Sequence, residues 1–152
     1  MTSVTAIDVP AGSLLAQFGK EGDYRDCFVR DVRGEVSLET YIERFYHSRA
    51  FLPERLILKA LGKPASSADA TAFARGETHR FGVWKLVERA ETEMLALSKD
   101  TNTASWFSVE TGAQGTRLYF GSWVGSIGES GWKALLKPHV WYSRELLGAV
   151  KL

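Results

Sequence analysis

Four runs rich in aromatic and aliphatic residues, separated by short polar or glycine-containing turns, constrain this sequence more than any other feature. The runs are Phe81–Ala90, Glu93–Lys99, Ala104–Thr111 and Thr116–Gly125. Runs of this kind between turn residues predict consecutive antiparallel strands. One face of an antiparallel sheet can meet water, so we expect other segments of the chain to cover the opposite face.

Helical patterns before and after these runs are the expected cover. A strand rich in aromatic and β-branched residues is predicted first, over Tyr24–Val32. The clearest helix follows, with Ser37 as its N-cap. Its apolar residues recur at helical spacing and form one stripe. They are Leu38, Tyr41, Ile42, Phe45 and Tyr46.

Two shorter helices are predicted between this helix and the four runs. Pro53 favours the first turn of one helix, which we expect to end at Gly62. Its apolar side is predicted to contain Leu56, Ile57, Leu58 and Leu61. The other helix runs from Ser66 to Arg75, where Ser66 and Asp69 have the spacing of a capping box.

The last helical pattern extends to about Val150 and contains Pro138. Since proline removes a backbone donor and clashes with the preceding turn, either the helix kinks at Pro138 or the main helix starts there. His139 and Ser143 lie within the apolar stripe of this helix, one turn apart. Two polar residues are thus predicted to face the sheet.

Composition excludes several classes of function. Among 152 residues, Lys and Arg number 19 and Asp and Glu number 18, so the formal charge is +1 and gives no electrostatic case for a nucleic-acid partner. The single cysteine, Cys27, excludes an intrachain disulfide, and the three histidines show no metal-ligand spacing. We predict no metal, no cofactor and no membrane span. The N-terminus lacks the pattern of a signal peptide, so the expected location is cytoplasmic.

Several short segments resemble the family called domain of unknown function 2867. They are Asp23–Asp26, Glu91–Leu97, Asp100 with Ala104–Val109, and His139–Arg144. The order of predicted elements also resembles the helix-grip architecture of the START and pollen-allergen-like superfamily. The resemblance implies an α+β fold in which an antiparallel sheet packs against a long C-terminal helix around an apolar cavity. It implies no catalytic residues. We interpret 1–152 as one domain, with a lead-in segment at 1–22 and a helix-grip core at 23–150.

Aromatic residues on the predicted strands are the most suggestive functional feature. Strand alternation places Trp106 and Phe107 on opposite faces, and Tyr119 and Trp123 on one face with Phe120 on the other. This pattern fits a sheet covered by helices on one side and by a partner on the other. Core packing is one explanation, and a small-molecule cavity beside the last helix is the alternative. The candidate ligand-binding residues are Trp84, Trp106, Tyr119, Trp123, His139, Tyr142 and Ser143.

Three functions remain open from the sequence. The leading hypothesis is a binding protein for a small apolar or amphipathic molecule, held between the sheet and the C-terminal helix. The second is an enzyme of the polyketide-cyclase type that uses polar cavity residues for acid–base chemistry. The third is a protein-interaction module without a ligand, homo-oligomers included, because Trp132 and Trp141 lie on different sides of the last helix.

Overall fold

The computed structural model describes residues 3–125 and 132–152 of the chain. These residues form an α+β fold, as predicted. The strands are β1 (Thr5–Ala6), β2 (Tyr24–Val32), β3 (Arg80–Phe81), β4 (Trp84–Arg89), β5 (Glu93–Ser98), β6 (Thr103–Gly112) and β7 (Gly115–Val124). The helices are α1 (Leu14–Gln17), α2 (Leu38–Tyr46), α3 (Leu52–Ala60), α4 (Ser67–Ala74) and α5 (Trp132–Gly148). The glycine- and serine-rich segment 125–131, which the sequence predicts as the connection to the last helix, lies mostly outside the described residues.

The strands form one antiparallel sheet in the order β1-β2-β7-β6-β5-β4-β3. The predicted meander is confirmed for β4 to β7, and β7 then pairs along its length with β2, far earlier in the chain. The first predicted run is two strands instead of one. Gly82 adopts a positive φ of 60°, which glycine tolerates, and this turn folds β3 back onto β4.

Helix α2 supplies the centre of the core between the sheet and the helices. The Ser37 side chain accepts a hydrogen bond from the backbone N–H of Thr40 and so caps the helix. All five residues of the predicted apolar stripe are buried. Helix α4 begins with the predicted capping box, in which Ser66 and Asp69 bond each other's backbone N–H groups. The local patterns therefore predicted these two helices correctly.

Helix α3 is oriented differently from the prediction. Leu58 is buried, but Leu56, Ile57 and Leu61 are 54%, 61% and 68% exposed. The inward face of α3 instead follows the helical spacing of Phe51, Glu54, Arg55 and Leu58, which are buried or half-buried. Phe51, just before the helix, is buried in the core, and Glu54 and Leu58 follow it on the same face of α3. The helix therefore directs the carboxylate of Glu54 inward and the side chains of Leu56, Ile57 and Leu61 outward.

Helix α5 closes the same side of the sheet. Pro138 lies inside the helix, so the alternative that the main helix starts at this proline is wrong. Leu146, Leu147 and Val150 are buried in the core, whereas Leu135 of the predicted apolar face is exposed. The Arg30 guanidinium of β2 donates hydrogen bonds to the carbonyl oxygens of Leu147 and Val150, which fixes the end of the helix against the sheet.

The opposite face of the sheet is covered by the N-terminal segment, residues 3–23, and not by a partner as the aromatic pattern suggested. A second apolar cluster lies there, made of Leu15, Cys27, Leu95, Ala104, Trp106 and Trp123. Arg25 holds the segment by donating hydrogen bonds to the carbonyl oxygens of Leu15 and Phe18. Glu93 accepts hydrogen bonds from the backbone N–H of Leu14 and the indole of Trp106. The lead-in is therefore an integral layer of the fold.

Candidate functional site

A cavity of about 340 Å³ lies between the sheet and α5, and it is the candidate site. Its walls come from α2, the start of α3, the strands β4, β6 and β7, and α5. Its apolar lining residues include Phe45, Tyr46, Phe51, Val83, Trp84, Phe120, Leu135 and Leu146. Its polar lining residues are Glu54, Thr101, Thr103, Ser105, Ser122, His139, Tyr142 and Ser143.

The strand register explains why one part of the sheet wall is apolar and the next is polar. Phe28, Phe120 and Phe107 are paired across β2, β7 and β6, so their side chains share one face. Two residues along each strand lies a second row on the same face, formed by Asp26, Ser122 and Ser105. Phe120, Ser122 and Ser105 of these rows line the cavity, so its sheet wall changes from phenylalanine to hydroxyl groups within two residues.

Helix α5 presents three polar side chains to the cavity. His139 and Ser143 lie one turn apart on the same face of the helix, and Tyr142 lies beside them. Ser143 is buried, while His139 and Tyr142 are half-buried. The predicted polar stripe of the last helix therefore lines a real opening in the core.

His139 is brought next to a carboxylate of β2. Its Nε2 lies 3.4 Å from Oδ2 of Asp26, and the Tyr24 hydroxyl donates a 2.7 Å hydrogen bond to the same oxygen. Burial and this bond to Asp26 raise the pKa of Tyr24. The second oxygen, Oδ1 of Asp26, is buried and accepts no hydrogen bond within residues 3–125 and 132–152. An imidazole beside a carboxylate is an arrangement that transfers protons.

A second carboxylate, Glu54 of α3, lies across the cavity. The Tyr142 hydroxyl donates a 2.8 Å hydrogen bond to its Oε2 and so connects α5 to α3. Burial raises the pKa of Glu54, and the hydrogen bond from Tyr142 lowers it in part. The sequence analysis missed this residue because the aliphatic neighbours of Glu54 predicted the opposite face of α3 as the buried one. The signal that could have found it is the spacing of Phe51, Glu54 and Leu58.

Trp84 contributes a donor that is not used within the fold. Its Nε1 is buried and has no hydrogen-bond partner in the described part of the chain. Burying an indole N–H without an acceptor is unfavourable, so such groups usually find a partner. In a residue that lines a cavity, this donor is a ready contact for an acceptor atom inside it.

The seven predicted site residues separate into two groups. Trp84, His139, Tyr142 and Ser143 line the cavity together. The other three, Trp106, Tyr119 and Trp123, lie on the opposite face of the sheet under the N-terminal segment. Alternation correctly predicted that Tyr119 and Trp123 share a face. Strand alternation does not indicate which face of the sheet meets α5. Trp106, Tyr119 and Trp123 lie on the face that does not meet it.

Two wider depressions lie elsewhere on the surface. One, of about 820 Å³, surrounds the β6–β7 hairpin, and most of its lining residues are exposed, including the Asp31 and Arg117 ion pair. The other, of about 550 Å³, lies between the N-terminal segment and the sheet and includes Trp106 and Tyr119. Their exposed walls make them surface grooves with less capacity to desolvate a ligand than the smaller cavity has.

The remaining candidate groups have structural surroundings. Cys27 is buried under the N-terminal segment, and burial, together with the charge of Asp26, raises its pKa to about 12. His47 lies at the end of α2 and contacts the Glu43 carbonyl oxygen and the Ser67 hydroxyl. Among residues 3–125 and 132–152, no three His, Cys, Asp or Glu side chains are grouped as metal ligands. Trp141 is 63% exposed, and the side chain of Trp132 lies outside the described part.

None of the helices in the described ranges combines the length and apolar character that crossing a bilayer requires. Comparison of the chain with protein-family models, with curated proteins and with solved structures finds no match in any of the three. Function is therefore argued from the cavity itself.

Proposed function

We propose that this protein binds a small amphipathic molecule in the cavity between the sheet and α5. The observation that carries the proposal is a cavity with Phe120 at one part of its sheet wall and the hydroxyls of Ser122 and Ser105 at the next. Its volume of about 340 Å³ is at the small end of the range for ligand pockets, which are mostly apolar with a few convergent polar groups. An amphipathic ligand matches both parts of that wall.

The element order supports a helix-grip architecture, and with it the proposed relation to START and pollen-allergen-like proteins and to domain of unknown function 2867. In this arrangement β2 pairs with the last strand, β7, and α5 packs across the sheet near β2. The three intervening helices, α2 to α4, contribute the rest of the cavity wall. In such an arrangement a cavity remains between the sheet and the helix where the side chains of the helix do not fill the space.

A neutral apolar dye tests the proposal when it is combined with two matched variants. Ser105→Leu adds bulk inside the cavity, whereas Ser108→Leu adds the same bulk to the same strand beside the groove on the other face. We expect Nile red to bind the wild type and Ser108→Leu with enhanced fluorescence, and to bind Ser105→Leu at least tenfold more weakly. Equal binding by the two variants, or no binding by the wild type, would contradict the proposal.

Native mass spectrometry supplies a second test with the purified protein. A mass in excess of the chain that disappears on denaturation would identify a retained ligand. The same spectrum gives the oligomeric state, which tests the interaction-module alternative that exposed Trp141 favours. A purely monomeric spectrum would remove the homo-oligomer version of that alternative.

The second candidate function is acid–base catalysis of the polyketide-cyclase type. The observation that favours it is the contact of His139 with Asp26, backed by Tyr24, beside the cavity. His139 also lines the cavity, so its imidazole and the neighbouring carboxylate lie where a ligand could exchange a proton with them. The chemistry this arrangement fits is proton abstraction next to a carbonyl group.

A neutral cyclic ketone in D₂O tests this second function without knowledge of the natural substrate. If the function holds, the protein accelerates deuterium exchange at the α-carbon of 2-tetralone, and His139→Ala removes the acceleration. The ring ¹⁵N shifts of His139 would also change in Asp26→Asn, because that substitution removes the carboxylate charge next to Nε2. No exchange above the buffer rate, with the dye still bound, would leave binding as the function.

A further inference from the structure

Three aromatic rings form a continuous wall beside Glu54. Tyr46, Phe51 and Trp84 all line the cavity, and their ring centroids lie 5.0 Å, 5.9 Å and 6.3 Å apart for the pairs Tyr46–Phe51, Phe51–Trp84 and Tyr46–Trp84. The charge of Glu54 also acts on Tyr46 and contributes to the raised pKa of its hydroxyl. We call these three residues the aromatic wall.

Glu54 has no cationic partner within the described residues. Its Oε2 accepts a hydrogen bond from the Tyr142 hydroxyl. Burial raises the pKa of Glu54 and this bond lowers it in part, and no Lys or Arg of the described part of the chain contributes. Arg55 follows it in the chain but does not line the cavity. A half-buried carboxylate without a cation is partly desolvated at a cost, so this position is one that a cation from outside would stabilise.

The rest of the described lining adds no positive charge from Lys or Arg. No lysine or arginine is among the lining residues, and His139, the other titratable cationic group, lies against the carboxylate of Asp26. A carboxylate or phosphate head group would therefore meet Glu54 without a compensating cation, which is strongly unfavourable in a partly desolvated site. An alkylammonium group would meet a carboxylate together with the faces and edges of aromatic rings, the combination that recognises such cations.

We propose that the cavity selects a cationic amphiphile, with an ammonium group held between Glu54 and the aromatic wall and an apolar portion against Phe45, Phe120 and Leu146. This inference rests on the proposed binding function and narrows its ligand class. The hydroxyl of Tyr142 keeps the carboxylate of Glu54 in place, and the donor at Trp84 Nε1 is available to an acceptor atom of the ligand.

Calorimetric titration with three octyl compounds separates the effect of charge from that of apolar burial. The probes are octyltrimethylammonium, 1-octanol and octanoate, which share one chain and differ in head-group charge. At neutral pH and low salt we expect the ammonium to bind about tenfold more tightly than the alcohol, since a desolvated ion pair with cation–π contact is worth at least that factor. Octanoate should bind about tenfold more weakly than the alcohol.

Two charge-matched variants assign the effect to Glu54. Glu54→Gln should lower the ratio of ammonium affinity to octanol affinity about tenfold, and a cooperative urea-unfolding transition shows that the variant is folded. Glu91→Gln removes the same charge from an exposed hairpin and should change neither affinity. The inference is overturned, and cavity binding stands, if octanol binds wild type as tightly as the ammonium or if Glu54→Gln has no effect. If none of the three probes binds, both this inference and the proposed binding function fail.

Discussion

The hydroxyl of Tyr142 and the carboxylate of Glu54 lie 2.8 Å apart and connect the last helix to α3 across the candidate cavity. Each group is half-buried, and each changes the other's titration. Burial and the proximity of Glu54 raise the pKa of Tyr142, while the Tyr142 hydrogen bond partly offsets the rise that burial causes at Glu54. This pair places a carboxylate in the cavity wall and joins α5 to α3 by a hydrogen bond.

Glu54→Gln is expected to stabilise the ligand-free protein at neutral pH by about 1 kcal/mol, a usual size for a single substitution. The glutamine carbonyl can still accept the Tyr142 hydroxyl, but no charge is buried. Because the pKa of Glu54 is raised in the folded state, the folded protein holds this proton more tightly than the unfolded chain, and stability falls as pH rises through the folded-state pKa. Urea unfolding should show the gain of the variant at neutral pH and its disappearance near the ordinary carboxyl pKa of 4.5. A variant less stable than wild type at neutral pH would contradict this account.

Tyr142→Phe is expected to raise the pKa of Glu54 further, since it removes the donor that favours the charged carboxylate. It should also cost about 1 kcal/mol of stability at neutral pH, as one hydrogen bond to a buried group is lost. A ¹³C NMR titration of the Glu54 carboxyl carbon measures the shift. Tyr24→Phe is the control, because its hydroxyl bonds to Asp26, and that variant should leave the Glu54 titration unchanged.

Arg25→Met is expected to release the N-terminal segment from the sheet. The arginine donates hydrogen bonds to the carbonyl oxygens of Leu15, Phe18 and Lys20, which the thioether cannot replace. We expect a loss of about 2 kcal/mol, red-shifted tryptophan emission as Trp106 and Trp123 become hydrated, and new proteolytic cleavage before Tyr24. Arg33→Met, at an exposed position, should show none of these changes. An unchanged cleavage pattern in Arg25→Met would mean that apolar contacts alone hold the segment.

Gly121→Ala is expected to destabilise the protein by about 1–3 kcal/mol, the usual cost of overpacking. A Cβ at this position would lie 2.5 Å from Cδ2 of Leu15 and 2.9 Å from the carbonyl oxygen of Asp26, so the N-terminal segment or β2 must move. Gly112→Ala, at the end of the neighbouring strand, is the control, because its nearest atom would be 3.9 Å away. Thermal unfolding compares the two. Equal midpoints would show that the segment moves aside without cost.

Cys27 is expected to be inert in the native protein. It is 1% exposed, and its raised pKa of about 12 leaves almost no thiolate at pH 8. A chromogenic disulfide reagent should therefore titrate no thiol in the native state and one thiol per chain in urea. Rapid reaction of the native protein would show that the N-terminal segment opens under native conditions.

Residue spacing was sufficient to predict the features that lie within one strand or helix. The apolar runs between turn residues predicted β4 to β7, and strand alternation predicted the shared face of Tyr119 and Trp123. The stripe from Leu38 to Tyr46 predicted the buried side of α2. Each is a statement about neighbours along one strand or helix, and backbone geometry fixes those neighbours locally. Within α3 the apolar pattern predicted the wrong face, because three of the four aliphatic residues that it places inward, Leu56, Ile57 and Leu61, are exposed.

Which elements lie across from one another depends on the packing of the whole chain. It turned Glu54 inward, brought Asp26 of β2 to His139 of α5, and placed Trp106 and Trp123 under the N-terminal segment instead of in the cavity. These relations join residues far apart in the chain. Side-chain periodicity specifies the direction of a residue relative to its own backbone, whereas the identity of the opposing element depends on how the whole core packs. The chemistry of the candidate site therefore came from packing, and its separate parts came from the sequence.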